Sequence, residues 1–202
     1  MLMIYRRFNR PPLIASGGAV GYVFALVMTV CVVLAGSSSA TTAQTDSPHL
    51  AVPAEIASSL RTAAQRGSAK VRWLGIPIYS ARLFTANAAP FSWSQPFALE
   101  LAYDRSFKRD RLVYASGKEL ERLEGDQADH PDILSKLQDC YRTVSPGDRF
   151  VAFGAQKDRV DFLFNGRKTC ELRHPDIRKR LLSIWMSDQS RDPKLSSQLR
   201  GQ

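Results

Sequence analysis

The stretch VDFLFNGRKTCEL, residues 160–172, restricts the fold more than any other part of the chain. Asn165-Gly166 separates two runs suited to strands, and Val160, Phe162 and Phe164 alternate onto one face of the first. Asn and Gly both tolerate positive φ, so the pair predicts a two-residue hairpin between antiparallel strands. Directly afterwards Pro175 opens a helical pattern in which Ile177, Leu181 and Ile184/Trp185 form an apolar stripe. A hairpin that runs into an amphipathic helix must bury sheet against helix, and this points to an antiparallel α+β domain.

The rest of the chain agrees with that class. FALELAY places Phe97, Leu99, Leu101 and Tyr103 on one face of a strand. GDRFVAFGA and DRVDFLFN read as two more strands. SAKVRWLG sets Ala69, Val71 and Trp73 on one face. IPIYSARLFT continues as strand, but its apolar parity changes after Ile78, which requires a bulge near Pro77 or burial of both faces. SFKRDRLVYASGKELERL reads as a helix weakened by Gly117, and PDILSKLQDCY as a helix with Ile133, Leu137 and Tyr141 in register. Pro53 opens a further helix with Ile56, Leu60 and Ala64 on one side, which Gly67 would end. Pro193 starts a last helical turn with Leu195 and Leu199.

The N-terminus carries an address. Arg6, Arg7 and Arg10 precede an uncharged apolar run, residues 19–35, followed by the small residues GSSSATTAQ. This is the pattern of a secretory signal cleaved after Ala40 or Ala43. Its 17 apolar residues also approach the length of a membrane span, so an uncleaved anchor is the alternative for residues 1–43. In both cases the remainder is exported, to the periplasm or to the outer side of the membrane. Residues 44–53 form a polar linker, and residues 54–202 the folded domain, long enough to bury a core.

The chain has a net charge of +9, and removing residues 1–43 leaves 25 basic and 19 acidic side chains. That excess is spread along the sequence and reads as a solvated basic surface, with contact to an anionic membrane surface or nucleic acid as the alternative. Without zinc-finger spacing or an aromatic nucleic-acid motif, no nucleic-acid partner is expected. His49, His130 and His174 are far apart in sequence, so no metal site is expected, and there is no phosphate loop, nucleophile elbow or C-x-x-C pair. No cofactor is implied. Cys140 and Cys170 are the only cysteines after the signal, and an oxidising compartment permits their pairing, with two free thiols as the alternative.

GSAKVRWLGIPIYSARLFT, PFALELAYDRSFKRDRLV, VSPGDRF, FNGR and HPDIRKRLLSIWMSDQSRDPKLSSQLRG occur in an order and spacing that resemble the bacterial branch of the chalcone isomerase-like family. The resemblance covers residues 66–201. It implies an open-faced β-sandwich in which an antiparallel sheet is covered by a layer of helices, with a ligand cleft between the two. The family includes ring-closing isomerases, fatty-acid-binding proteins and non-catalytic relatives.

Carried onto this sequence, the resemblance makes Arg66, before Gly67, the arginine that receives a carboxylate. It matches an enzyme threonine to Tyr79 and an enzyme tyrosine to Leu120, after Ser116-Gly117. Leu120 can donate no hydrogen bond, and Tyr79 is far larger than threonine. Arg72 and Arg82 are further candidates for the cleft. No catalytic residue is assigned. The resemblance therefore implies a non-catalytic protein that binds a fatty acid or similar small apolar anion, with an intramolecular-lyase isomerase as the alternative.

Overall fold

The computed structural model describes residues 51–202. The expected signal or anchor at 1–43, and most of the expected linker, lie outside the described residues.

Six strands follow one another in a single antiparallel sheet of order β1-β2-β3-β4-β5-β6. They are β1 (Ala63–Trp73), β2 (Ile76–Ala86), β3 (Phe97–Tyr103), β4 (Arg149–Gln156), β5 (Arg159–Phe164) and β6 (Arg167–Arg173). Helices α2 (Arg109–Glu124), α3 (His130–Cys140), α4 (Ile177–Met186) and α5 (Pro193–Arg200) form the covering layer. A short helix, α1 (Ala54–Ser59), packs on the other face of the sheet. The expected α+β open-faced sandwich is therefore the fold observed.

The Asn165-Gly166 turn has φ of 48° and 81° and joins β5 to β6 as the sequence predicts. Both explanations for the parity change in β2 hold. Val71 pairs with Tyr79 and Arg72 with Pro77, so Ile78 is an extra, bulged residue. Further along, Leu83, Phe84 and Thr85 are all buried, so this part of the strand is covered on both faces. The same double burial holds for β3, where Ala98 and Glu100 are buried along with the predicted face. Gly117 does not break α2. A Cβ there would lie 3.0 Å from a Leu134 methyl, so glycine lets α2 and α3 approach closely.

One expectation is corrected. The helix opened by Pro53 ends at Ser59, and Ala64 and Gly67 belong to β1. Thr62 takes a φ of 52° at the corner. Ile56 and Leu60 still face one way, into a cluster with Phe84, Ala98 and Val151, but the helical spacing of Ala64 is fortuitous. Cys140, at the end of α3, and Cys170 in β6 form a disulfide with Cα atoms 5.0 Å apart.

Candidate functional site between sheet and helices

Strand alternation decides which residues reach the helical layer. After the Ile78 bulge, Tyr79, Ala81 and Leu83 face the helices, whereas Arg82 and Phe84 face α1. Tyr79 is buried where β2 meets α4. The Trp185 indole N–H donates to its Oη at 3.1 Å. The Tyr79 and Tyr103 rings lie 5.9 Å apart. Beyond them, the Ser116 and Tyr141 hydroxyls are 3.2 Å apart, and Tyr141 packs against Phe150 and Phe162. The seam is thus an aromatic interior with a few hydroxyls set into it.

Its electrostatics favour neutral donors. Burial pushes the Tyr79 hydroxyl up to about 12, against a smaller opposing effect of the Trp185 hydrogen bond, and the negative charge of Glu119 raises it further. Burial likewise holds Tyr141 at about 12 and Tyr103 well above the ordinary range. Burial also acts to raise Glu119, but hydrogen bonds from Arg191 and Arg122 outweigh it and keep the carboxylate ionised, its value lowered overall. Glu119 accepts from Arg191 Nε at 2.8 Å and from Arg122 Nε at 2.9 Å. Tyr79 accepts from Trp185, and no hydrogen bond among the described residues consumes its own hydroxyl hydrogen. At neutral pH it is a phenol able to donate to an oxygen, not a phenolate able to act as a base.

Of the four candidate ligand-binding residues, only Tyr79 lies in this seam. Arg66 stands on β1 as the bulged residue between Gln65 and Gly67, not at the end of its own helix. Its guanidinium donates to the carbonyls of Arg200 at 3.0 Å, Gly201 at 2.9 Å and Ala88 at 3.4 Å. These are acceptors at the C-terminus of α5 and in the loop after β2. Gly67 completes the arrangement, since a Cβ there would fall 2.4 Å from the carbonyl oxygens of Gln198 and Leu199. The Arg-Gly pair is thus a seat for the end of α5: glycine admits its backbone, and arginine supplies donors to the orphan carbonyls of its last turn.

Arg82 is on the opposite face of the sheet. It meets buried Glu100 through both carboxylate oxygens, at 2.8 and 3.0 Å, and Arg149 Nε lies 3.4 Å from the same carboxylate. Arg149 in turn pairs with Glu55 of α1. Arg72 is exposed and donates to the carbonyl of Gly75 in its own hairpin at 3.1 Å. The expectation that Arg72 and Arg82 point into the cleft is therefore corrected: Arg82 lies three residues after Tyr79 and so on the opposite face of β2, and Arg72 stands at the exposed tip of the β1–β2 hairpin. Leu120, matched by resemblance to an enzyme tyrosine, is fully buried in α2.

Sequence reasoning missed Glu119 and the Ser116–Tyr141 pair. The available signal was Glu119 beside Leu120, on the buried side of α2 with Val113 and Ser116. It also took Trp185 for plain core, whereas the indole is half-buried and donates to Tyr79.

No family model matches the chain, and no curated protein matches it. Among solved structures, the chain is similar to a fatty-acid binding protein of Arabidopsis thaliana. The similarity has a TM-score of 0.52 and 11% identity, and it covers 70% of this chain and 88% of that one. The likeness is one of fold: an antiparallel sheet covered by a layer of helices.

Proposed function

We propose that this chain is an exported binding protein that holds a fatty acid, or a similar small apolar anion, between sheet and helices without catalysing ring closure. The observation that carries the proposal is Tyr79: a buried neutral hydroxyl whose hydrogen no bond among the described residues uses, beside Tyr103, which itself packs against Phe107 and Phe150. Such a seam gives an acyl chain apolar contact and gives one polar oxygen a donor. The Arabidopsis protein of similar fold is named for fatty-acid binding, which supports the same ligand class here. The export signal read in the sequence supports a carrier or sensor outside the cytoplasm.

The seam is poorly equipped for the isomerase reaction. That chemistry needs donors and a cation on a developing oxyanion. Leu120 supplies no donor, and Arg66 and Arg82, two of the cations considered, are engaged elsewhere. Titration with a long-chain fatty acid tests the proposal. Tyr79→Phe removes only the hydroxyl and should weaken binding roughly tenfold. Unchanged affinity would remove Tyr79 from the site. Loss of chalcone absorbance in the presence of the protein should follow the uncatalysed rate, and a large acceleration would make the protein an isomerase.

A further inference from the structure

The tip of the β1–β2 hairpin is built against local preference. Trp73 pairs with Ile76, so Leu74 and Gly75 form a two-residue turn, with φ of 47° and 79°. The β5–β6 hairpin uses the same turn with Asn165 and Gly166 at 48° and 81°. Asn-Gly is the pair this geometry favours, whereas an aliphatic residue at positive φ is disfavoured. Leu74 is moreover 81% exposed and Ile76 40% exposed. Neither backbone conformation nor core packing accounts for a leucine there.

The tip also projects. The last β2–β3 pair is Tyr79 with Tyr103, so the hairpin runs three residues, about 10 Å, beyond it. Basic residues surround its base. Arg72 lies beside the turn, and the Asp104 N–H bonds to the Ile78 carbonyl, which sets Arg105 at the root of the hairpin. Lys108 and Arg109 follow, with Arg142 beside them in a shallow recess. Arg105, Lys108 and Arg111 are exposed and make no ion pair among the described residues, although many cations of the domain are paired. Arg109 pairs with Asp110 and Lys70 with Asp104, which leaves Arg105, Lys108 and Arg111 as the cations without an ion pair among the described residues on the segment that leaves the root of the hairpin.

We propose that this hairpin is a membrane-docking tip: Leu74 and Ile76, with Trp73, enter the interface of an anionic bilayer while Arg72, Arg105 and Lys108 meet lipid phosphates. An aromatic and two aliphatics flanked by cations is the combination that interfacial anchoring requires. The tip is separate from the Tyr79 seam, so this inference does not depend on the ligand proposed above.

The test uses the full chain with vesicles of phosphatidylcholine and phosphatidylglycerol in equal parts, their acyl chains brominated to quench tryptophan on contact. The wild-type protein should be quenched, less so on pure phosphatidylcholine or at high salt. Trp73→Phe should remove the quenched emission. Leu74→Asn suits the turn better, so its thermal midpoint should be equal or higher, yet the ratio of docked to undocked tip should fall roughly tenfold. Quenching that survives Trp73→Phe, or is unaltered by Leu74→Asn, would overturn the proposal. Absence of quenching in the wild-type protein would also overturn it, leaving the tip to a protein partner.

Discussion

Replacing Arg66 separates two roles that the sequence alone cannot. If Arg66 received a ligand carboxylate, Arg66→Ala would weaken binding and leave the fold intact. The structure predicts the reverse. The guanidinium makes two good bonds to carbonyls at the end of α5, at 3.0 and 2.9 Å, and a long one at 3.4 Å to Ala88. Each bond from a charged donor is worth up to about 1.5–3 kcal/mol. Arg66 is only partly buried, so solvent screening reduces this to about 1 kcal/mol for each of the two good bonds. The total is about 2 kcal/mol, which in a domain of this size lowers the thermal midpoint by roughly 4–8 °C. The assay is thermal unfolding by circular dichroism, with Arg66→Lys for comparison, since lysine keeps the charge but not the fork and should recover part of the loss. An Arg66→Ala midpoint equal to wild type, with fatty-acid affinity much reduced, would refute the seat and restore Arg66 as the receiver of an anion.

Gly67→Ala should be worse than Arg66→Ala, by about 3 kcal/mol or more, because its Cβ would meet backbone oxygens at 2.4 Å; limited proteolysis should then release the C-terminal helix first. Thiol counting on unfolded, unreduced domain should find Cys140 and Cys170 unreactive, and reduction should destabilise by about 3.5 kcal/mol for a separation of 30 residues. The Arg180 hydrogen bonds hold Asp129 down to about 2 from 3.8, so this pair stabilises the fold above the higher value and is lost as pH falls through the lower one. Carboxyl titration by NMR should show that value, and Arg180→Gln should return it towards 3.8. Tyr79 and Tyr141 are shifted the other way by burial, so their contribution is complete below pH 10 and lost as pH rises towards 12; phenolic absorbance should rise together with unfolding rather than before it.

Regular elements were legible where one period dominates. FALELAY gives β3 at its observed bounds, and Asn165-Gly166 gives the β5–β6 turn. Helix α4 appears where Pro175 and the Ile177, Leu181 stripe place it. The start of β1 was not legible, because Ile56, Leu60 and Ala64 satisfy helical spacing although only the first two share a face. The faces of β2 depend on one bulged residue, Ile78, and a one-residue shift exchanges every side chain between faces. Once that shift puts Tyr79 on the helix face, Arg82, three residues on, falls on the other side, where it serves Glu100. The role of Arg66 was hidden for a different reason. Its two closer acceptors lie 134 and 135 residues further along, and no local pattern reports a contact of that range. Tyr79 was found through resemblance, whereas its partner Trp185 needed the packed structure.

Native mass spectrometry of protein purified from its own host tests the central claim most directly. The account predicts one apolar, singly anionic adduct per chain, retained on gentle activation and depleted in Tyr79→Phe. A bare chain mass under the same conditions, or an adduct indifferent to Tyr79→Phe, would contradict a ligand held between sheet and helices at Tyr79.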